Sequence, residues 1–296
     1  MDGAVGLCPA HRKEVNVMKK THIEKNSVQE TLVIPLYGRK LCTELFPDLF
    51  EDRKAVELID RIDYDFSELE KRAKSTAYRF GALEVAMREN DLMIEAKNYL
   101  EEHPLAAIVN LGCGLDQTAE NCDNGKCLIY NIDLPDVIGV RNTLLPESER
   151  VKNIAADLND FSWFDKINAE NGVCFIAAGV FYYFRKDDIK KLFNAMAKRF
   201  PDGKLCFDAA NERAVKIMLK TWVKEAGITS IADYFSVNSI ENDILPWLEN
   251  ASVSSKGYML GYNDLRDKSV PPLFRTLSKI GDGFMKMQIV RIDFER

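Results

Sequence analysis

Histidine is scarce in this sequence: His11, His22 and His103 are the only three. The first two lie near the N-terminus and the third is far from both. No HExxH, paired CxxC or Cys/His cluster accompanies them, so no dedicated metal site is expected. The cysteines number seven and scatter from Cys8 to Cys206. An odd, scattered set is not a disulfide framework and points to a reduced, cytoplasmic compartment. No apolar run approaches the roughly 18 residues of a membrane span. No long basic run appears either, and the net charge is −6. Nucleic acid and anionic membrane are therefore not expected as partners. The N-terminus lacks the basic-then-apolar layout of a signal peptide. Residues 1–26 read as a disordered lead-in, with Met18 as an alternative start to Met1.

What is present is ordinary for a globular protein: 46% hydrophobic and 29% charged residues. The length predicts one α/β core with an added subdomain. Residues 27–104 read mainly as helix and form an N-terminal cap. "SELE" at Ser67–Glu70 is a capping-box pattern, and the long helical pattern after it is expected to break near Gly81. Pro104 then punctuates the chain.

From residue 105 short apolar runs alternate with helical patterns. "LAAIVNL" (105–111), "CLIYNI" (127–132), "VKNIAAD" (151–157), "GVCFIAAG" (172–179) and "KLCFDAA" (204–210) read as buried parallel strands. The alternation implies a doubly wound, mostly parallel α/β sheet over 105–296. "KGYMLGY" (256–262) and "KMQIVRIDF" (286–294) read as a terminal antiparallel pair. Residues 226–255 are mixed and polar, a candidate substrate cover.

The chemistry gathers at the strand ends, where open α/β sheets bind ligands. "VNLGCGLDQT" (109–118) places Gly112, Cys113 and Gly114 after the first strand, and glycine lets backbone N–H groups approach a ligand. Asp133 ends the second strand about 20 residues later, where nucleotide-binding sheets hold ribose hydroxyls. It also suits a cap for the helix that follows, and both roles can hold. Asp157 ends the third strand, positioned to accept from an adenine amino group or to brace a turn. Gly179 follows the fourth strand, at the reactive end of a bound ligand. A dinucleotide fingerprint would need a third glycine where Gln117 stands, and Asp116 would repel phosphate. S-adenosylmethionine, which has no phosphate, fits better; Asp116 would help orient its ammonium group.

Five motifs occur in order: "ETLVIPLYGRK" (30–40), "VNLGCGLDQT" (109–118), "YNIDLPDVI" (130–138), "AAGVFYYF" (177–184) and "KMQIVRIDF" (286–294). Together they resemble the leucine carboxyl methyltransferase family, most closely its bacterial branch of polyketide-type O-methyltransferases. The likeness spans roughly residues 28–296. It implies a class I, Rossmann-like methyltransferase using S-adenosylmethionine and releasing S-adenosylhomocysteine, with a seven-stranded sheet. It also implies that Arg88, otherwise an ordinary helix charge, pairs with the methionine carboxylate. Leu134, Leu158 and Ala178 join the expected cofactor set by position beside Asp133, Asp157 and Gly179. Two departures stand out. The family often reads GLDTR where Gln117-Thr118 follow Asp116, and it often has an acid where Ala178 stands.

The expected activity is methyl transfer to a hydroxyl or carboxylate of a small molecule. Tyr183 and Tyr37 are the catalytic candidates; Arg39, Tyr258 and Tyr262 are the substrate candidates. Each tyrosine is equally readable as core packing. The alternatives are a non-catalytic cofactor-binding protein and an NAD(P)-dependent dehydrogenase.

Overall fold

A computed structural model describes residues 20–25, 27–218 and 235–296. The central sheet has seven strands: β3 (Ala107–Leu111), β4 (Leu128–Asp133), β5 (Val151–Ala155), β6 (Val173–Ala177), β7 (Lys204–Ala209), β8 (Ala251–Gly257) and β9 (Gln288–Phe294). Their spatial order is β5-β4-β3-β6-β7-β9-β8. The first five are parallel, while β9 runs antiparallel to both β7 and β8. A small parallel pair, β1 (Thr21–His22) and β2 (Ile62–Asp63), stands apart. The expected lead-in therefore overlaps ordered chain: Thr21–His22 is paired and Ile23 is buried.

All five residues of β3 and all five of β6 are buried, which explains their unbroken apolar runs. Successive residues feed opposite faces: Val109 and Leu111 join one cluster with Phe175 and Phe207, and Ile108 joins the other. The second face is covered by α4 (Thr76–Glu102), which lies against β6, β7 and β9. Packed on α4 is α1 (Glu30–Leu45), followed by α2 (Arg53–Arg61) and α3 (Ser67–Arg72). Helices α5 (Pro135–Leu144) and α6 (Lys186–Arg199) follow β4 and β6, while α7 (Glu212–Met218), α8 (Ile240–Asp243) and α9 (Pro272–Phe284) follow β7.

Three local expectations are corrected. Helix α4 passes through Gly81 without a break, because Gly81, Ala82 and Leu83 are buried against neighbouring elements and packing outweighs the roughly 1 kcal/mol propensity cost. Ser67 is not a cap; Asp65 accepts from its N–H at 3.1 Å, and Ser75 caps α4 by accepting from Tyr78 N–H at 3.2 Å. The penultimate strand runs over 251–257, not 256–262. After Gly257 the chain turns, with Gly261 N–H donating to the Gly257 carbonyl and Asp282 accepting from Met259 and Leu260. The strand is an edge strand, so "ASVSSKG" lacks the apolar run that marked β3, β4, β6 and β7; β5, at the other edge, is not a buried strand either, with only Ile154 buried. Residues 226–234 of the expected cover lie outside the described residues. Beyond them, Phe235 and Val237 join the core and 251–257 is sheet.

Candidate active site

The order of the sheet reverses between β3 and β6, and register aligns the strand ends there. Leu111 pairs with Ile132 on one side and with Ala177 on the other, and Ala177 pairs with Phe207. Gly112, Asp133, Ala178 and Asp208 therefore sit in a row along the C-terminal edge. This is the switch-point crevice where such sheets bind ligands.

Gly112 and Gly114 have φ of 62° and 48°, conformations that favour glycine. A Cβ on Gly112 would stand 2.5 Å from Val180 Cγ2, so the two turns meet here. The loop is held from within. Asp133 accepts from Gly114 N–H at 2.8 Å and from Leu134 N–H at 2.8 Å. Each contact occupies one of the carboxylate's roughly four lone-pair sites, leaving room for two ribose hydroxyls. Leu134, 39% exposed, is the helix N-cap residue. Asp116 is buried, and its Oδ1 accepts from Asn110 Nδ2 at 2.7 Å and Thr118 N–H at 3.0 Å. It braces the loop. Cys113 is buried too, and burial pushes its thiol well up.

Two buried guanidinium groups complete the brace. Arg141, fully buried on α5, donates to the Gly114 carbonyl at 3.0 Å, the Asp116 carbonyl at 2.7 Å and Glu120 Oε1 at 2.6 Å. Arg39 donates to Asp52 at 2.9 Å, Glu89 at 3.0 Å and the Leu115 carbonyl at 3.0 Å. At 2% exposure with all three contacts internal, Arg39 has no face for an acidic substrate; the expected substrate role is replaced by a bracing one. This is also how the loop is secured with Gln117-Thr118 in place of the more usual Thr-Arg.

The turn after β6 is built differently. Gly179 has φ of 71°, and a Cβ there would lie 2.7 Å from Arg88 Nη1. Its N–H donates to Asp208 Oδ1 at 2.6 Å, while Asp208 Oδ2 stands 3.2 Å from Arg88 Nη1. Arg88 Nε is buried with no partner. A buried, unsatisfied guanidinium donor at the ligand edge fits an incoming carboxylate. One turn earlier on α4, half-buried Glu84 is pushed up to about 7, chiefly by burial and against the pull of Arg88.

The tyrosines separate. Tyr183 is 51% exposed in the short 3-10 turn Phe181–Tyr183, at the mouth beside these groups. Tyr258 is buried, raised by burial first, and within the fields of Glu84, Arg88 and Asp208. Tyr37 is a core residue, stacked on Phe66 at 5.9 Å and edge-on to Tyr78 at 6.4 Å, which leaves its catalytic expectation without a route to ligand. Tyr262 donates to Glu95 at 2.5 Å, seven residues and so about 10 Å along α4 from Arg88. It is not brought to the site. Asp157 is exposed and accepts from Asn159 N–H at 2.9 Å; Leu158 beside it is buried.

Comparisons with known proteins show the family and the fold. The leucine carboxyl methyltransferase family matches residues 38–197, more than half of the chain. The chain belongs to that family. The tetracenomycin polyketide synthesis O-methyltransferase of Streptomyces glaucescens is 31% identical over 188 residues, 63% of this chain and 67% of that one. Among solved structures, a DUF574 family protein from Streptomyces avermitilis superposes with a TM-score of 0.56 at 10% identity, covering 79% of this chain and 92% of its own. That likeness shows the shared fold. As a leucine carboxyl methyltransferase family member the protein is an S-adenosylmethionine-dependent methyltransferase. The nicotinamide alternative gives way to this match. Three residues central to the geometry were not singled out from sequence: Asp208, Arg141 and Glu84. The first had a signal, a lone acid inside the apolar run "KLCFDAA".

Proposed function

We propose that the protein transfers the methyl group to an oxygen, a hydroxyl or carboxylate, of a small molecule. The observation that carries this is the 31% identical relative, an O-methyltransferase. The side chains around the reactive end support it: Glu84, Arg88, Tyr183 and Tyr258 suit an oxygen acceptor and its proton. In this reading Arg88 Nε takes the methionine carboxylate and Asp133 accepts the ribose hydroxyls. Asp157 accepts from the adenine amino group, with Leu134 and Leu158 beside the ring. Gly112, Cys113 and Gly114 offer backbone on one side; Ala178 and Gly179 do so on the other. S-adenosylmethionine supplies an activated methyl group on sulfur, to be attacked in line. Holding acceptor and cofactor in that line is the contribution of the chain.

The helical cap, residues 27–104, is part of the site because it supplies Glu84 and Arg88. Tyr183 orients the acceptor at the mouth. A cytoplasmic location completes the reading, supported by six free, buried cysteines among the described residues. No helix among them is long and apolar enough to cross a membrane.

A carboxylate acceptor is already ionised, whereas a hydroxyl needs a base. In this reading Glu84 takes that proton. The test is transfer from labelled S-adenosylmethionine to a panel of hydroxylated aromatic acids, with matched amines and thiols. Base-labile label marks a methyl ester and base-stable label an ether. For a hydroxyl, kcat rises with pH through about 7 as Glu84 ionises, and Glu84→Gln removes the rise. For a carboxylate the same range is flat. Transfer to amines or thiols but to no oxygen acceptor sinks the reading.

A further inference from the structure

The reading above gives Arg88 to the cofactor carboxylate; what aims Arg88 is a separate question. Its side chain is long and flexible, and a carboxylate clamp needs a fixed plane. Asp208, at the end of β7, is 2% exposed and carries two contacts that span the site. Oδ1 accepts from Gly179 N–H at 2.6 Å and Oδ2 stands 3.2 Å from Arg88 Nη1. The guanidinium is thereby held at one corner while Nε, on another edge, stays buried and unpartnered. Gly179 makes room, since any Cβ there would meet the guanidinium at 2.7–2.9 Å. The Tyr182 phenol is buried beside the same carboxylate.

Resting on that reading of Arg88, we propose that Asp208 is a positioning residue that presents the free edge of Arg88 to the amino-acid end of the cofactor. Asp208 thereby sets the preference for cofactors that carry an α-carboxylate. It touches neither the methyl group nor the acceptor. It fixes the β6 turn and Arg88 as one unit, so the carboxylate meets a donor already in place. The adenosine half of the cofactor lies with Gly112, Gly114 and Asp133, on the other side of the switch point, and is independent of it.

Two probes separate these halves: S-adenosylhomocysteine, and 5′-methylthioadenosine, which lacks the amino-acid part. Dissociation constants are measured calorimetrically for the wild-type protein, Arg88→Ala, Asp208→Asn and Asp208→Glu. Asn keeps an oxygen for Gly179 N–H and removes the charge that holds Arg88. Asp208→Asn is expected to weaken S-adenosylhomocysteine by about tenfold, the scale of one charge-assisted hydrogen bond. Its 5′-methylthioadenosine affinity stays within about twofold of wild type, on the additivity of separated contacts. Asp208→Glu, one methylene longer, restores part of the ratio. Equal loss for both probes means a role in folding alone and overturns the proposal, as does unchanged or tighter S-adenosylhomocysteine binding in Asp208→Asn. If Arg88→Ala keeps the wild-type ratio, the reading of Arg88 fails first and takes this proposal with it. If Arg88→Ala collapses the ratio and Asp208→Asn does not, only the role of Asp208 falls.

Discussion

The turn after β3 and the turn after β6 sit side by side at the same edge of the sheet, and they differ in how their polar groups are satisfied. The first has its backbone braced from within, while its Thr118 hydroxyl is buried without a partner. Asp116, Asp133, Arg39 and Arg141 each bind its backbone, with Arg141 wholly buried. The second is open: Arg88 keeps a buried donor without a partner, and Tyr183 is half exposed. A loop whose backbone is held internally is preset. A turn beside an unpartnered buried donor is completed by its ligand, and mutations there should be felt in binding before stability.

The largest expected effect tests the closed side. Arg141→Ala removes a cation from between Glu120 and two backbone carbonyls, leaving buried acceptors unpaired. It should cost about 3–5 kcal/mol of folding stability, the usual scale for breaking a buried ion pair on one side. Urea denaturation reads this directly. Arg141→Lys should recover only part, because an ammonium lacks the planar fork that reaches Gly114, Asp116 and Glu120 together. A loss under about 1 kcal/mol would mean that the first loop is not preset by this residue, and the contrast would fail there.

On the open side the order reverses. Arg88→Ala should reduce S-adenosylhomocysteine affinity by about 100-fold, from a lost bidentate carboxylate pair worth about 2–3 kcal/mol. Because the Ala variant also leaves Asp208 unpaired, Arg88→Met with Asp208→Asn is the cleaner comparison: the double variant should fold well and bind poorly. Calorimetry and a melting curve on the same samples decide it. Binding unchanged with stability lost would place Arg88 among the braces instead.

Gly179→Ala is a finer probe of the same turn. The added methyl meets the Arg88 guanidinium, the far end of a flexible side chain, so the chain accommodates it by moving the guanidinium. The backbone cost of the left-handed conformation is about 1–2 kcal/mol. Binding of S-adenosylhomocysteine should fall several-fold on the scale of a neutral hydrogen bond, with 5′-methylthioadenosine little changed. A variant that binds both probes as the wild type does would show that Arg88 need not lie over this glycine.

How much of this was legible in sequence depends on whether a residue's role is local. Gly112, Gly114 and Gly179 were legible because positive φ is a demand of the backbone itself. Asp133 was legible through its spacing from the first loop, and β3, β4, β6 and β7 through their buried apolar runs; β5, expected as a buried strand, is an edge strand in which only Ile154 is buried. Arg39 was misread because its partners Asp52 and Glu89 lie 13 and 50 residues away, and a sequence shows a charge without showing what satisfies it. Arg141 sits in a helix whose pattern reads as an ordinary amphipathic face. Asp208 is separated by 120 residues from Arg88. Strand β8 was misplaced because "ASVSSKG" carries no apolar run. Tyr37 and Tyr262 illustrate the same limit: "PLYGRK" and "GYMLGY" supply phenols, but only packing decides which of them face ligand.

The smallest expected effect concerns the far end of the closed side, where Asp157 already serves its own turn through Asn159. An exposed turn carboxylate of this kind should contribute under about 0.5 kcal/mol to stability. If it also accepts from the adenine amino group, Asp157→Ala should weaken S-adenosylhomocysteine by roughly three- to tenfold, the worth of one hydrogen bond. The sharper reading comes from S-inosylhomocysteine, in which a carbonyl replaces that amino group. The wild type should discriminate against it and Asp157→Ala should not, because the repulsion between two acceptors is gone. Equal discrimination in both proteins would leave Asp157 as a turn residue. Adenine recognition would then pass to backbone groups.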